Sequence, residues 1–312
     1  MNDPIAGAGT IFPDLVFEQA QCLFMSSHCS IRTKGTFERI ELPVNPFIHR
    51  SNAAEAIKGE ERFHKALFEA MNRARAFGIA NPIVIGAIPF DVSQPSYLTI
   101  PRSYEIFSRE LEGGRLDSEE GVPFQPDVLG LHSVPADHRF KQGVQQAIAN
   151  FQLSDIRKTV LSRILEVNLS EPVNTDTIFA RLVAQNPSAY HFRLPLGAGA
   201  ELIGASPELL LRKQGNKVYS YPLAGSAKRQ PDPELDRTSG ESLLQSHKDA
   251  YEHRLVIDDI REQLAPLCTT LKVPESPSLI STRAMWHLAT DIQGELADPT
   301  MTALQVACRL HP

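Results

Sequence analysis

Between residues 190 and 225 the chain runs through "YHFRL", "ELIGAS", "ELLLRK" and "KVYSYPLAG", four short apolar stretches in quick succession, each bounded by Gly or Pro. Strands this close together leave no room for the crossover of a dozen or more residues that parallel neighbours need. They predict a largely antiparallel sheet, not a doubly wound parallel one. With helix-like stretches before and after, the fold class is α+β.

Periodicity fills in the rest. Residues 22–42 read as short strands broken by Ser and Gly, a hairpin or meander. Phe63, Leu67, Met71 and Ala74 recur at helical spacing, with Gly78 as a stop. "PIVIGAIPF" (82–90) reads as a strand in a sheet interior, bent at Gly86. Residues 107–140, rich in Gly, Pro and acids, read as a surface loop or lobe boundary, which divides the chain into parts 1–106 and 141–312. Beyond it Val144, Ile148 and Phe151 predict a helix, and "KTVLSRILEV" (158–167) predicts a strand that opens on Lys158 and carries Arg163. "NTDTIFARLVAQNP" predicts a helix started by Asn174 or Asp176, and one long helix is predicted from Pro233 to Leu267. Asp298, Pro299 and the periodic "TMTALQVACRL" predict a capped helix at the end.

Composition removes several function classes. With 42% hydrophobic residues in 312, the chain can build a sizeable core. A net charge of -6 and the lack of a dense Lys/Arg run speak against nucleic acid as a partner. The start, "MNDPIAGAG", is acidic where a signal peptide would be basic, and no apolar run reaches the length of a membrane span, so the expected location is the cytoplasm, with no membrane partner. Cys22, Cys29, Cys268 and Cys308 lack C-x-x-C spacing and read as reduced thiols. "GASPE" departs from G-x-S-x-G at Glu208, and His247 and His253, six apart, do not share a helix face as zinc ligands of H-E-x-x-H do. "GAGT" (7–10) and "GAG" (197–199) lack the context of a dinucleotide fingerprint.

Five residues stand out from these patterns. Lys158 is a cation at the start of an apolar strand. Glu252 points into an apolar helix face formed by Leu244, Leu255, Val256 and Ile260, which makes it either an i,i+4 partner of Lys248 or a metal ligand or catalytic acid. Glu208 follows a Ser-Pro turn, where Gly204 permits an unusual backbone angle and Pro207 fixes one. It is either held rigidly at a sheet edge or a solvated charge. Gly225, in "PLAGSAKR", is an anion site of main-chain N–H groups or a simple turn. His287, in "WHLAT", is a core histidine or a substrate contact.

"KTVLSR", "GASPELLLRK", "PLAGSAKRQPD", "KDAYEHRLV" and "WHLAT" together resemble, in order and separation, the chorismate-utilising enzymes. "FMSS" and "NPIVIGAIPFD" resemble the isochorismate synthases of catecholate siderophore pathways. The resemblance runs from about Leu23 to the last residue. It implies the anthranilate synthase component I-like fold, two sheet-and-helix lobes around a central cleft. It also implies an isomerase that adds water at C2 of chorismate while the C4 hydroxyl leaves, with Lys158 as base and Glu208 as acid. Glu252 would bind Mg²⁺, Gly225 would contact the ring carboxylate through its backbone, and His287 would line the pocket. No amidotransferase partner is expected. The family continues past "ACRLHP" with a substrate-binding arginine, a second metal-binding glutamate and a late lysine, so the resemblance implies a missing C-terminal part. Salicylate synthases, menaquinone-pathway isochorismate synthases, aminodeoxychorismate synthases and an inactive remnant are the alternatives; Lys158 argues against anthranilate-type members.

Overall fold

A computed structural model of the chain describes residues 21–46, 53–108 and 126–311. The acidic start, "GAGT" and residues 109–125 of the expected loop lie outside the described residues. In chain order the elements are β1 (Leu23–Met25), β2 (Ser30–Ile40), α1 (Ala53–Ala76), β3 (Ile85–Ala87), β4 (Tyr97–Phe107), β5 (Val128–Val134), α2 (Asp137–Asn150), β6 (Ile164–Leu169) and α3 (Thr175–Gln185). They continue with β7 (Tyr190–Gly197), β8 (Ala200–Ser206), β9 (Leu209–Gln214), β10 (Lys217–Tyr221), β11 (Leu223–Lys228), α4 (Pro233–Gln245), α5 (His247–Leu264), β12 (Cys268–Lys272), β13 (Ser278–Ser281), β14 (Met285–Ala289), β15 (Ile292–Leu296) and α6 (Ala303–Leu310). All strand pairs among them are antiparallel, as the crowding of short strands predicts.

The described chain forms two units. The first contains residues up to 108 together with 174–184 and 190–205. Its six-stranded sheet has the order β3-β4-β2-β1-β7-β8. The expected hairpin at 22–42 is present as β1 and β2, and α1 buries Phe63, Leu67, Ala70 and Ala74. Gly78, at φ +106, ends the last turn by donating its N–H to the Arg75 carbonyl at 3.0 Å. The strand expected inside a sheet at 82–90 shrinks to three residues at the sheet edge, β3. Flanking prolines at 82 and 89 lack the N–H that a central strand needs. Gly86 lies so close to β4 that a Cβ would come within 2.0 Å of the Tyr97 carbonyl oxygen. Asn174 starts α3, its side-chain oxygen accepting the Thr177 N–H at 3.0 Å. Arg193 of β7 is buried and joins α3 to β8 through Asp176, Thr175 and Glu201. A buried guanidinium is tolerated when its donors are paired in this way.

The second unit contains residues 126–173, 185–189 and 206–311. It holds a four-stranded sheet β12-β15-β10-β9, a three-stranded sheet β11-β14-β13 and the hairpin β5-β6. Val218, Ile257, Ile260, Leu264, Ile292, Leu296, Val306 and Leu310 form its core, in which α5 and α6 meet β10 and β15. α6 starts at Thr302, not Asp298, through a reciprocal capping box with Gln305.

Three expectations for this unit are corrected. Residues 128–134, read as loop, form β5. The strand expected from Lys158 begins at Ile164, paired with Val134; the next residue on the partner side is Pro135, which has no N–H to extend the ladder. Lys158 to Arg163 are therefore left without strand pairing. The long helix expected over 233–267 is two helices broken at Ser246, whose φ of -69 and ψ of 110 are not helical. The Ser246 hydroxyl accepts the Asp249 N–H at 3.2 Å, which makes it the N-cap of α5.

Candidate active site

Local forces place each expected residue. Glu208 sits in the joint between β8 and β9. Its N–H donates to the Ser206 hydroxyl at 3.2 Å, and its Oε1 accepts the Leu223 N–H at 3.1 Å. The side chain is exposed yet tethered, so the held-carboxylate alternative applies. Gly204 serves this region by a different route from the one its type suggests. Its φ is not positive; a Cβ there would fall 2.3 Å from the Phe192 ring, so the glycine is a matter of close approach.

β11 reaches β14 with one residue to spare. Leu223 faces Ala289 and Ser226 faces His287, so three steps on β11 match two on β14. This bulge falls at Ala224 and Gly225, and Gly225 takes φ +87, the left-handed region open to glycine. A Cβ on Gly225 would meet Asp249 Cβ at 3.2 Å and Leu288 Cδ1 at 3.3 Å. The bulge brings Ser226 Oγ to 2.8 Å from His287 Nδ1. Burial pushes the His287 pKa below the ordinary imidazole range, with the charge of Glu208 pulling the other way. The ring is thus neutral near pH 7. Glu208, Gly225 and His287 belong to one neighbourhood.

Lys158 joins it through His253. That ring is buried between the Ala224 carbonyl, 3.0 Å from Nδ1, and the Thr290 hydroxyl, 2.7 Å from Nε2. A carbonyl can only accept, so Nδ1 carries the hydrogen and Nε2 accepts from Thr290. Burial pushes the His253 pKa down, and the nearby Lys158 charge pushes it further. Arg163, by contrast, serves structure: it donates to Asp137 at 2.8 Å and stacks on Phe140.

Glu252 pairs with Lys248 at 3.1 Å, the i,i+4 alternative, and its side chain is 39% exposed. The face buried by α5 is His253, Ile257, Ile260 and Leu264, with Leu244 exposed. Glu252 borders that face instead of pointing into it, because the break at Ser246 removes Leu244 from the helical phase. Among the described residues no group of three converging His, Cys, Asp or Glu ligands includes Glu252. One carboxylate still fits Mg²⁺, which keeps most of its waters and takes one or two such ligands.

Two features went unread in the sequence. The first is the His253 clamp. The second is Asp236, which accepts from Arg229 Nε at 2.8 and 2.9 Å, from the Gln230 N–H at 2.8 Å and from Trp286 Nε1 at 3.0 Å. These donors, the guanidinium above all, lower its pKa to about 2. The brace fixes the end of β11 and the start of β14, next to His287. A cavity of about 880 Å³ lies against α5 between Tyr251, Arg254, Asp258 and Pro274; it is lined by His253 and Thr290 but by none of the five expected site residues.

An antiparallel α+β fold in which a tethered carboxylate, a glycine bulge and a neutral histidine share one neighbourhood agrees with the chorismate-utilising class that the sequence resembles. The family described as chorismate binding enzyme matches residues 105–312, and the chain belongs to it. Over 292 residues the chain is 40% identical to isochorismate synthase EntC of Escherichia coli (strain K12), covering 93% of this chain and 71% of that one. It is 36% identical over 301 residues to isochorismate synthase DhbC of Bacillus subtilis (strain 168), covering 94% and 72%. Among solved structures, Bacillus anthracis DhbC, assigned provisionally as a 2,3-dihydroxybenzoate-specific isochorismate synthase, superposes with a TM-score of 0.81 at 32% identity, over 95% of this chain and 74% of that one.

Proposed function

We propose that the chain is an isochorismate synthase of the siderophore type, which moves a hydroxyl on chorismate by adding water at C2 and releasing the C4 hydroxyl. The observation that carries this reading is the convergence of Glu208, Gly225 and His287 at the β11 bulge, with Lys158 close enough to act on His253. Relatives named as isochorismate synthases, one of them provisionally as 2,3-dihydroxybenzoate-specific, support the substrate and the route.

The reaction needs a base on one face of the ring and an acid on the other. Lys158 accepts a proton from the attacking water, the role of a general base, in its neutral form. Glu208 gives a proton to the departing C4 oxygen. Its Oε1 is held by the Leu223 N–H, which tethers the carboxyl group in place. The Gly225 backbone and the neutral His287 ring orient the ring carboxylate. Glu252 would hold Mg²⁺ once released from Lys248, and the ion would supply charge neutralisation at that carboxylate. No amidotransferase subunit takes part, since water and not ammonia is the nucleophile.

Incubating the purified chain with chorismate and Mg²⁺, followed by chromatography, tests this. Isochorismate should form, and Lys158→Ala should reduce its rate on the order of 10²–10⁴-fold, the usual contribution of a positioned base. Salicylate, an aminated product, or turnover indifferent to Lys158→Ala would overturn the assignment.

A further inference from the structure

The bulge in β11 does more than make room for a carboxylate. Side chains alternate across a strand, so a one-residue change of register exchanges its two faces. The extra residue at Gly225 restores the phase that sets Ser226 directly opposite His287, where the hydroxyl meets Nδ1 at 2.8 Å. Among the described hydrogen bonds this is the one that Ser226 Oγ makes. The other ring nitrogen, Nε2, is left for the site. On the proposed reaction, the substrate group that His287 orients is the ring carboxylate, whose oxygens only accept hydrogen bonds. A neutral imidazole helps there only if Nε2 carries the hydrogen, which requires Nδ1 to accept from Ser226.

We infer that Ser226 is a positioning residue: its hydroxyl donates to His287 Nδ1, fixes the Nε2–H tautomer and the ring plane, and so aims an N–H donor at a substrate oxygen. Ser226 acts through His287 without itself touching the reacting atoms. The arrangement is assembled by the register of two strands whose partners are 61 residues apart, with the glycine bulge as the part that sets it.

The test is long-range ¹⁵N–¹H correlation spectroscopy on the histidine-labelled full chain, with Ser226→Ala and Ser226→Thr beside it. The wild type should show His287 with unprotonated Nδ1 and protonated Nε2. Ser226→Ala should move both nitrogens toward tautomer-averaged shifts, and Ser226→Thr, which keeps the hydroxyl, should restore the wild-type pattern. In the chorismate assay Ser226→Ala should lose roughly three- to tenfold in kcat/KM, the worth of one hydrogen bond, with Thr recovering it. A wild-type ring protonated on Nδ1, His287 shifts unmoved by Ser226→Ala, or unchanged turnover in that variant would overturn the inference. The inference rests on the isochorismate reading for the choice of tautomer and for its kinetic arm. A wild type that makes no isochorismate would count against that reading, while the spectra would still decide the role of Ser226.

Discussion

Asp236 sits where a single proton has a structural effect. Its pKa lies at about 2 against an ordinary 3.8, because Arg229, the Gln230 N–H and Trp286 all favour the carboxylate. A depressed pKa in the folded state means that stability is fully present above the ordinary value and is lost as pH falls through the folded one. Unfolding free energy should therefore decline between about pH 4 and pH 2. Asp236→Asn should be less stable at neutral pH and show a shallower decline in that window, as read by denaturant titrations at several pH values. An equal slope in both proteins would show that the brace is not the group responsible. Glu252 differs at the same scale: its partner, Lys248, is four residues away and exposed, so the pair can open for another ligand without stranding a buried charge.

Among the elements, the break at Ser246 has the widest consequences. The cap fixes Asp249, whose Cβ stands at the limit of approach to Gly225. Ser246→Ala should cost about 1 kcal/mol of stability, the usual worth of an N-cap, measurable by chemical denaturation. A loss near zero would mean that α4 and α5 can run together. Ser246 and Asp249 form a local cap signal, yet the apolar phase from Leu244 to Ile260 outweighs it when residues are placed on one continuous helix. Elements specified by near neighbours were legible: the β1-β2 hairpin, the α1 stripe, the Asn174 cap and the crowded antiparallel strands. The start of β6 was not, because it depends on where β5 ends at Val134, thirty residues earlier. Lys158, Glu208, Gly225, Glu252 and His287 drew notice because each residue type conflicts with its local pattern. Ser226 conflicts with nothing, and only the register of β11 against β14 reveals its partner.

Over the whole molecule, apolar surface is unevenly distributed. In the β5-β6 hairpin Leu129 is 71% exposed, Leu131 65% and Ile164 63%, and Val160 and Leu153 nearby are more exposed still. Side chains on both faces of a two-stranded sheet are thus left in water. The chain should bind a hydrophobic dye at neutral pH, and Leu129→Gln with Leu165→Gln should cut the signal without lowering the thermal midpoint. Absence of dye binding by the unmodified chain would show this face to be covered. The first unit carries another consequence, in time. β1 lies between β2 and β7, and β7 and β8 complete a sheet whose other four strands end at Phe107. At the usual pace of synthesis, roughly 5–20 residues per second, the ribosome needs on the order of 5–20 s to pass from the end of β4 to the end of β8. Until then the nascent sheet has an open flank at Leu23–Met25, and folding helpers have that interval in which to guard it.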